Sequence, residues 1–195
     1  MSLVNKIAPD CNARAVISNQ IKENFKLSDY RGKYIVLFFY PLDFTFVCPT
    51  EIHAFQDRLG EFEKRHVQVI GVSTDSWYTH LAWLKTPKKE GGIEGVSFPL
   101  VSDFNKTISK DYGILQEEDG VALRGLFLID RKGIIQHETI NNLALGRNVD
   151  EVLRMVDALQ FTEKHGEVCP VNWKTGDKAM KPDSKGLQEY FKDAS

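Results

Sequence analysis

Cysteine is scarce and scattered: the 195 residues hold three, Cys11, Cys48 and Cys169. So few, so far apart, exclude a secreted disulfide framework, and the odd count points to a reactive or intermolecular thiol. No C-x-x-C pair occurs, which excludes dithiol exchange by adjacent cysteines. No apolar run approaches the ~20 residues that span a bilayer, so no membrane partner is expected. Met1 to Asp10 (MSLVNKIAPD) has no apolar h-region, which makes a cytoplasmic location the expectation. An excess of one charge is also missing. Lys+Arg 25 against Asp+Glu 27 gives a net charge of −2, and without a basic block or basic-aromatic stripe nucleic acid is not an expected partner. A chain of this length can bury roughly 70% of its unfolded surface, so it needs no disulfide or metal staple.

What is present centres on one junction. Tyr34 to Tyr40 (YIVLFFY) is the most apolar run and has the composition of a strand buried on both faces, stopped by Pro41. From Ile52 onward Phe55, Leu59 and Phe62 recur at helical spacing. Cys48 therefore falls in or just before the first turn of a helix, where unpaired N–H groups and the helix dipole favour a thiolate over a thiol.

Along the chain, Ala15 to Ile17 and Phe25 with Leu27 flank polar Asn19 to Asn24, which reads as a small hairpin. Val67 to Val72 forms a second strand, and Ser73 to Ser76 caps a helix carrying Trp77, Leu81 and Leu84. Lys85 to Gly95 is a polar loop, Phe98 to Val101 a short strand, and Thr107 to Tyr112 a helix stopped by Gly113. Leu123 to Ile129 and Gly133 to Ile140 form a hairpin. Asn148 and Glu151 resemble a capping box for a helix running to about Lys164. The reading is an α/β chain with a thioredoxin-like domain over 1–165 and an extended C-terminal arm over 166–195 ending in a short helix near Leu187 to Phe191.

Two thiols about 120 residues apart can act in sequence if one is oxidised first and the other reaches it. A thiolate alone is not enough for rapid peroxide reduction. Lowering a cysteine pKa from ~8.5 to ~6 gains only ~30-fold in thiolate, whereas preorganised donors at the departing oxygen can each be worth ~10²-fold. Thr45, three residues before Cys48, has a suitable hydroxyl, and an arginine fork can supply the rest.

Pro41-x-x-x-Thr45-x-x-Cys48, within FFYPLDFTFVCPTE, resembles the active-site signature of the peroxiredoxins. With Leu123-Arg124-Gly125-Leu126-Phe127 and Val168-Cys169-Pro170 it is similar to the typical two-cysteine group, the thioredoxin peroxidases. The resemblance implies that Cys48 attacks the hydroperoxide and becomes a sulfenic acid, that Thr45 and Arg124 bind the peroxide oxygens, and that Pro41 shields the sulfur. It gives Glu51 the task of orienting Arg124, and matches Arg147 to a second nearby arginine. Cys169 would resolve the sulfenic acid of the partner subunit, and thioredoxin would reduce the disulfide. A homodimer that closes into a decamer is implied, with no metal or organic cofactor, because thiolate and sulfenic acid are states of the protein's own sulfur.

The resemblance departs at one loop. Members prone to overoxidation carry Gly-Gly-Leu-Gly with a terminal Tyr-Phe pair; here Tyr190-Phe191 is present but the loop reads Gly91-Gly92-Ile93-Glu94. Cys11 matches no element of the signature and reads as an ordinary thiol. His165-x-x-x-Cys169 is half of a zinc pattern with no second half. A cysteine hydrolase with a histidine base has no need of the proline after Cys48. The rival from another class is a holdase chaperone.

Overall fold

The computed structural model describes residues 2–192. Chain contacts divide it into two compact units, residues 1–149 and 150–195. In the first unit β1 (Asn12–Ile17), β2 (Gln20–Lys26) and β3 (Tyr34–Phe39) lead to α1 (Cys48–Asp57) and α2 (Leu59–Lys64). There follow β4 (Val67–Ser73), α3 (Trp77–Lys85), β5 (Leu100–Ser102), α4 (Thr107–Asp111), a two-stranded ribbon of β6 (Leu115–Gln116) and β7 (Val121–Ala122), and the hairpin β8 (Arg124–Ile129) and β9 (Ile135–Asn141). Seven strands make one sheet in the order β2-β1-β5-β4-β3-β8-β9. β3 pairs parallel with β4 and antiparallel with β8, and β4 pairs parallel with β5. This is the thioredoxin-like arrangement with an N-terminal hairpin.

β3 is central, and all six of its residues are buried. Phe38 stacks on Phe55 of α1 with ring centroids 4.4 Å apart, while Phe39 faces Tyr112 and Phe127 on the other side at 5.2 and 5.9 Å. A strand covered on both faces needs apolar residues at every position, which is why this run shows no alternation.

Several boundaries differ from the sequence expectations. The hairpin turn is Ser18-Asn19, both left-handed (φ 48° and 63°), so the polar stretch after it is the outer strand β2. Backbones of this kind match the strand twist. The helix after Cys48 breaks at Arg58 (φ −101°, ψ 5°), two residues before Gly60, a weak helix former. The strand expected from Phe98 begins at Leu100, because Pro99 has no N–H to give a ladder; its carbonyl accepts from Gly71 instead at 2.9 Å. α3 buries His80, Trp83 and Leu84 rather than Trp77 and Leu81.

The second unit is built on α5 (Val149–His165), followed by a bridge between Val168 and Met180 and then α6 (Ser184–Lys192). Trp173, only 3% exposed, lies against Phe161 of α5 with centroids 4.8 Å apart and donates its indole N–H to the Asp177 carbonyl at 3.1 Å. The arm thus covers its tryptophan within its own unit.

Candidate active site

The chain leaves β3 at a buried Pro41 and turns sharply before α1. Phe44 holds a left-handed backbone (φ 53°), an unfavourable conformation for an aromatic residue that its surroundings must stabilise. Asp43 does so. Its carboxylate accepts from the Tyr40 hydroxyl at 2.9 Å and from His80 Nδ1 at 2.6 Å, and its amide donates to the Asp75 carboxylate at 2.6 Å. Tyr40 is wholly buried; burial and then the Asp43 charge push its phenol pKa far up, so it remains a donor. Burial, and then the Asp43 charge, also raises the Asp75 carboxyl. The Phe44 ring comes 5.8 Å from that of Trp83.

Cys48 is the first residue of α1 and Pro49 the second, where a missing N–H costs no intrahelical bond. The sulfur has no exposed surface. Arg124, at the start of β8, donates Nη1 to Cys48 Sγ at 3.5 Å and to Glu51 Oε2 at 2.6 Å, while its Nε donates to the Leu143 carbonyl at 2.7 Å. Arg147 donates its amide and Nε to Glu51 Oε1 at 2.8 and 2.7 Å and Nη2 to Oε2 at 2.9 Å. Its Nη1 reaches the carbonyls of Phe39 and Gly125 at 2.8 and 2.7 Å, tying the cluster to β3 and β8.

Burial pushes the Glu51 carboxyl up, but the hydrogen bonds and charge of Arg147, with the charge of Arg124, hold its pKa below the ordinary 4.5. Glu51 is therefore an anion. Two guanidiniums face one carboxylate, so this group of side chains carries one net positive charge beside the sulfur.

Cys48, Arg124, Glu51 and Arg147 thus form one buried cluster. Pro41 and Thr45 belong to the loop that leads into it. The Thr45 hydroxyl donates to the Leu42 carbonyl at 2.9 Å, which leaves its lone pairs to accept. Cys169 lies in the second unit, half-buried, its thiol 3.8 Å from the Ala158 carbonyl; burial raises its pKa against the opposing charge of Arg154. Cys11 is pushed up to about 11, chiefly by burial, in keeping with an ordinary thiol. Sequence reasoning missed the Tyr40, Asp43, His80 and Asp75 network. Asp43 stands inside the signature, but His80 is 37 positions away, with no spacing rule to connect them.

A model of the AhpC/TSA family matches residues 4–138, and one of the C-terminal domain of 1-Cys peroxiredoxin matches residues 158–193. Peroxiredoxin-1 of Gallus gallus is 57% identical over 190 residues, 97% of this chain and 96% of that protein. Thioredoxin peroxidase of Echinococcus granulosus is 54% identical over 190 residues, 97% of this chain and 98% of that protein. The crystal structure of reduced 2-Cys peroxiredoxin from Plasmodium vivax matches with a TM-score of 0.95 at 49% identity, covering 98% of this chain and 100% of that one.

Proposed function

The chain belongs to the AhpC/TSA family, the peroxiredoxins, and on that premise we propose that it reduces hydrogen peroxide and organic hydroperoxides at Cys48, with Cys169 of the partner subunit as resolving thiol and thioredoxin as reductant. The observation that carries this is the buried Cys48 sulfur at the start of a helix, 3.5 Å from an Arg124 nitrogen that Glu51 holds.

The Cys48 thiolate attacks one peroxide oxygen. The S–O bond forms as the O–O bond breaks, the other oxygen leaves as alkoxide or hydroxide and takes up one proton from solvent to become alcohol or water, and Cys48 becomes a sulfenic acid. As the thiolate's charge passes to the departing oxygen, the net positive charge of the two arginines over Glu51 stabilises it in the transition state. Thr45 accepts the hydrogen bond of the substrate O–H, and Pro41 keeps water from the sulfur. The Cys169 thiolate then attacks the sulfenic sulfur, giving a disulfide and water, and a dithiol reductant restores both thiols.

An intersubunit disulfide needs a dimer. Supporting this, β9 is an edge strand, covered at one end where Asn5 and Lys6 bond to Ile135 at 2.8 and 2.9 Å, while Ile140 further along is 46% exposed. Closure of dimers into a decamer, cytoplasmic residence, and roles in antioxidant defence and redox signalling complete the proposal. The test couples peroxide consumption to thioredoxin, its reductase and NADPH. Turnover vanishes in Cys48→Ser, and Cys169→Ser loses the dimer band on non-reducing gels. Turnover that survives Cys48→Ser would overturn the assignment.

A further inference from the structure

The arm that follows α5 returns along that helix in the opposite direction. Cys169 Sγ lies 3.8 Å from the Ala158 carbonyl oxygen, and four residues further on the Trp173 carbonyl accepts from Arg154 Nη1 at 2.9 Å. Arg154 and Ala158 are four positions apart on one helix, so they share a face a single turn apart. The guanidinium and the Cys169 thiol are therefore neighbours on that face, with residues 169–173 laid over both. The buried Trp173 ring, packed on Phe161, keeps the segment there.

Arg154 is held in a fixed direction. Its Nε and Nη2 donate to Glu151 Oε2 and Oε1 at 2.6 and 2.7 Å, a two-pronged pairing that orients the guanidinium plane. Along the helix Glu151 comes before Arg154 and Ala158 after it, so the pair presents its positive end towards the thiol. The Arg154 side chain is 25% exposed, which screens this charge without cancelling it. Burial raises the Cys169 pKa. The helix and the arm also carry Glu151, Asp157, His165, Glu167, Lys174 and Asp177, but among the described residues the charge that acts on the thiol is that of Arg154, which opposes the effect of burial.

We propose that Arg154 is the positioning residue for resolution: it holds the arm by the Trp173 carbonyl and stabilises the Cys169 thiolate that attacks oxidised Cys48. This rests on the roles of Cys48 and Cys169 proposed above. The Cys169 thiol gives its proton to solvent, and the thiolate attacks the Cys48 sulfenic sulfur. The S–S bond forms as the S–O bond breaks, and the hydroxide that leaves takes up one proton from solvent to become water. Losing the neighbouring charge cuts the thiolate about tenfold at neutral pH. The more basic thiolate is the better nucleophile, which recovers about half of that on a logarithmic scale and leaves a rate lowered about threefold.

Arg154→Gln and Arg154→Lys test this. Alkylation of Cys169 by iodoacetamide in the reduced protein, read at that site by mass spectrometry across a pH series, reports the thiolate without peroxide. Arg154→Gln is expected to react about threefold more slowly than wild type at neutral pH and to match or overtake it where the thiol is fully ionised. Arg154→Lys keeps the charge without the fork and stays close to wild type. After peroxide, the Cys48–Cys169 disulfide of Arg154→Gln forms about threefold more slowly at neutral pH, with the first oxidation of Cys48 unchanged. A glutamine variant that alkylates as fast as wild type at neutral pH, or faster at every pH because the arm has loosened, would overturn the inference. So would a lysine variant that behaves as the glutamine one, or an unchanged rate of disulfide formation in Arg154→Gln. A wild-type protein that forms no such disulfide would defeat the resolving role instead, while the alkylation profile still decides whether Arg154 sets the ionisation of Cys169.

Discussion

Arg124 and Arg147 share one carboxylate but hold different positions. Arg124 reaches the sulfur, whereas Arg147 spends its donors on Glu51 and on two main-chain carbonyls. A lysine at 124 keeps the charge but cannot serve Cys48, Glu51 and the Leu143 carbonyl together. Arg124→Lys is therefore expected to lower the rate constant for peroxide with Cys48 by about 10²-fold, read by stopped flow. Glu51 makes a pH prediction. Its folded pKa lies below 4.5, so the folded form binds fewer protons than the unfolded chain. The stabilisation is complete above the unfolded value and is lost as pH falls through the folded one. Urea midpoints of the wild type should drop between about pH 5 and pH 3, more steeply than those of Glu51→Gln. Equal slopes would show that the carboxylate is not the group responsible.

At the scale of elements, the loop between β3 and α1 owes its shape to Asp43. Replacing it with alanine leaves the Tyr40 hydroxyl and His80 Nδ1 without their acceptor in a closed interior. Asp43→Ala should cost about 3 kcal/mol in chemical unfolding and slow peroxide reduction through the loop whose shape it holds. Legibility in the sequence followed length and continuity. The run Tyr34 to Tyr40 and the hairpin around Gly133 were readable because several consecutive residues repeat one message. β6 and β7, two residues each, carry too little pattern, and the break at Arg58 lies inside a helical periodicity that continues across it. Cys48 was legible as a thiol at a strand-to-helix turn. Arg124, Glu51 and Arg147 were legible only through a motif, since their meeting depends on β8 lying beside β3. Asp43 stands inside the signature, but no periodicity or spacing rule pairs it with His80.

For the whole molecule the decisive feature is the sheet's unfinished side. β9 ends the sheet, and among the described residues Asn5 and Lys6 bond to the backbone of its first residue, Ile135. A lysine at 140 places a charge on the open part and disfavours a second strand there. Ile140→Lys should shift sedimentation towards monomer and, with it, remove the disulfide-linked band after peroxide treatment. A dimer that persists at micromolar concentration would place the subunit contact elsewhere.

The placement of the tryptophans has an optical consequence. Trp77 lies 4.0 Å beneath the Arg14 guanidinium and Trp173 rests on Phe161, but Trp83 is sealed in the interior against Phe44, the strained residue of the active-site loop. With the other two changed to phenylalanine, the emission of Trp83 becomes a dye-free gauge of that loop's posture, expected to change on the timescale of the oxidation and recovery proposed for Cys48.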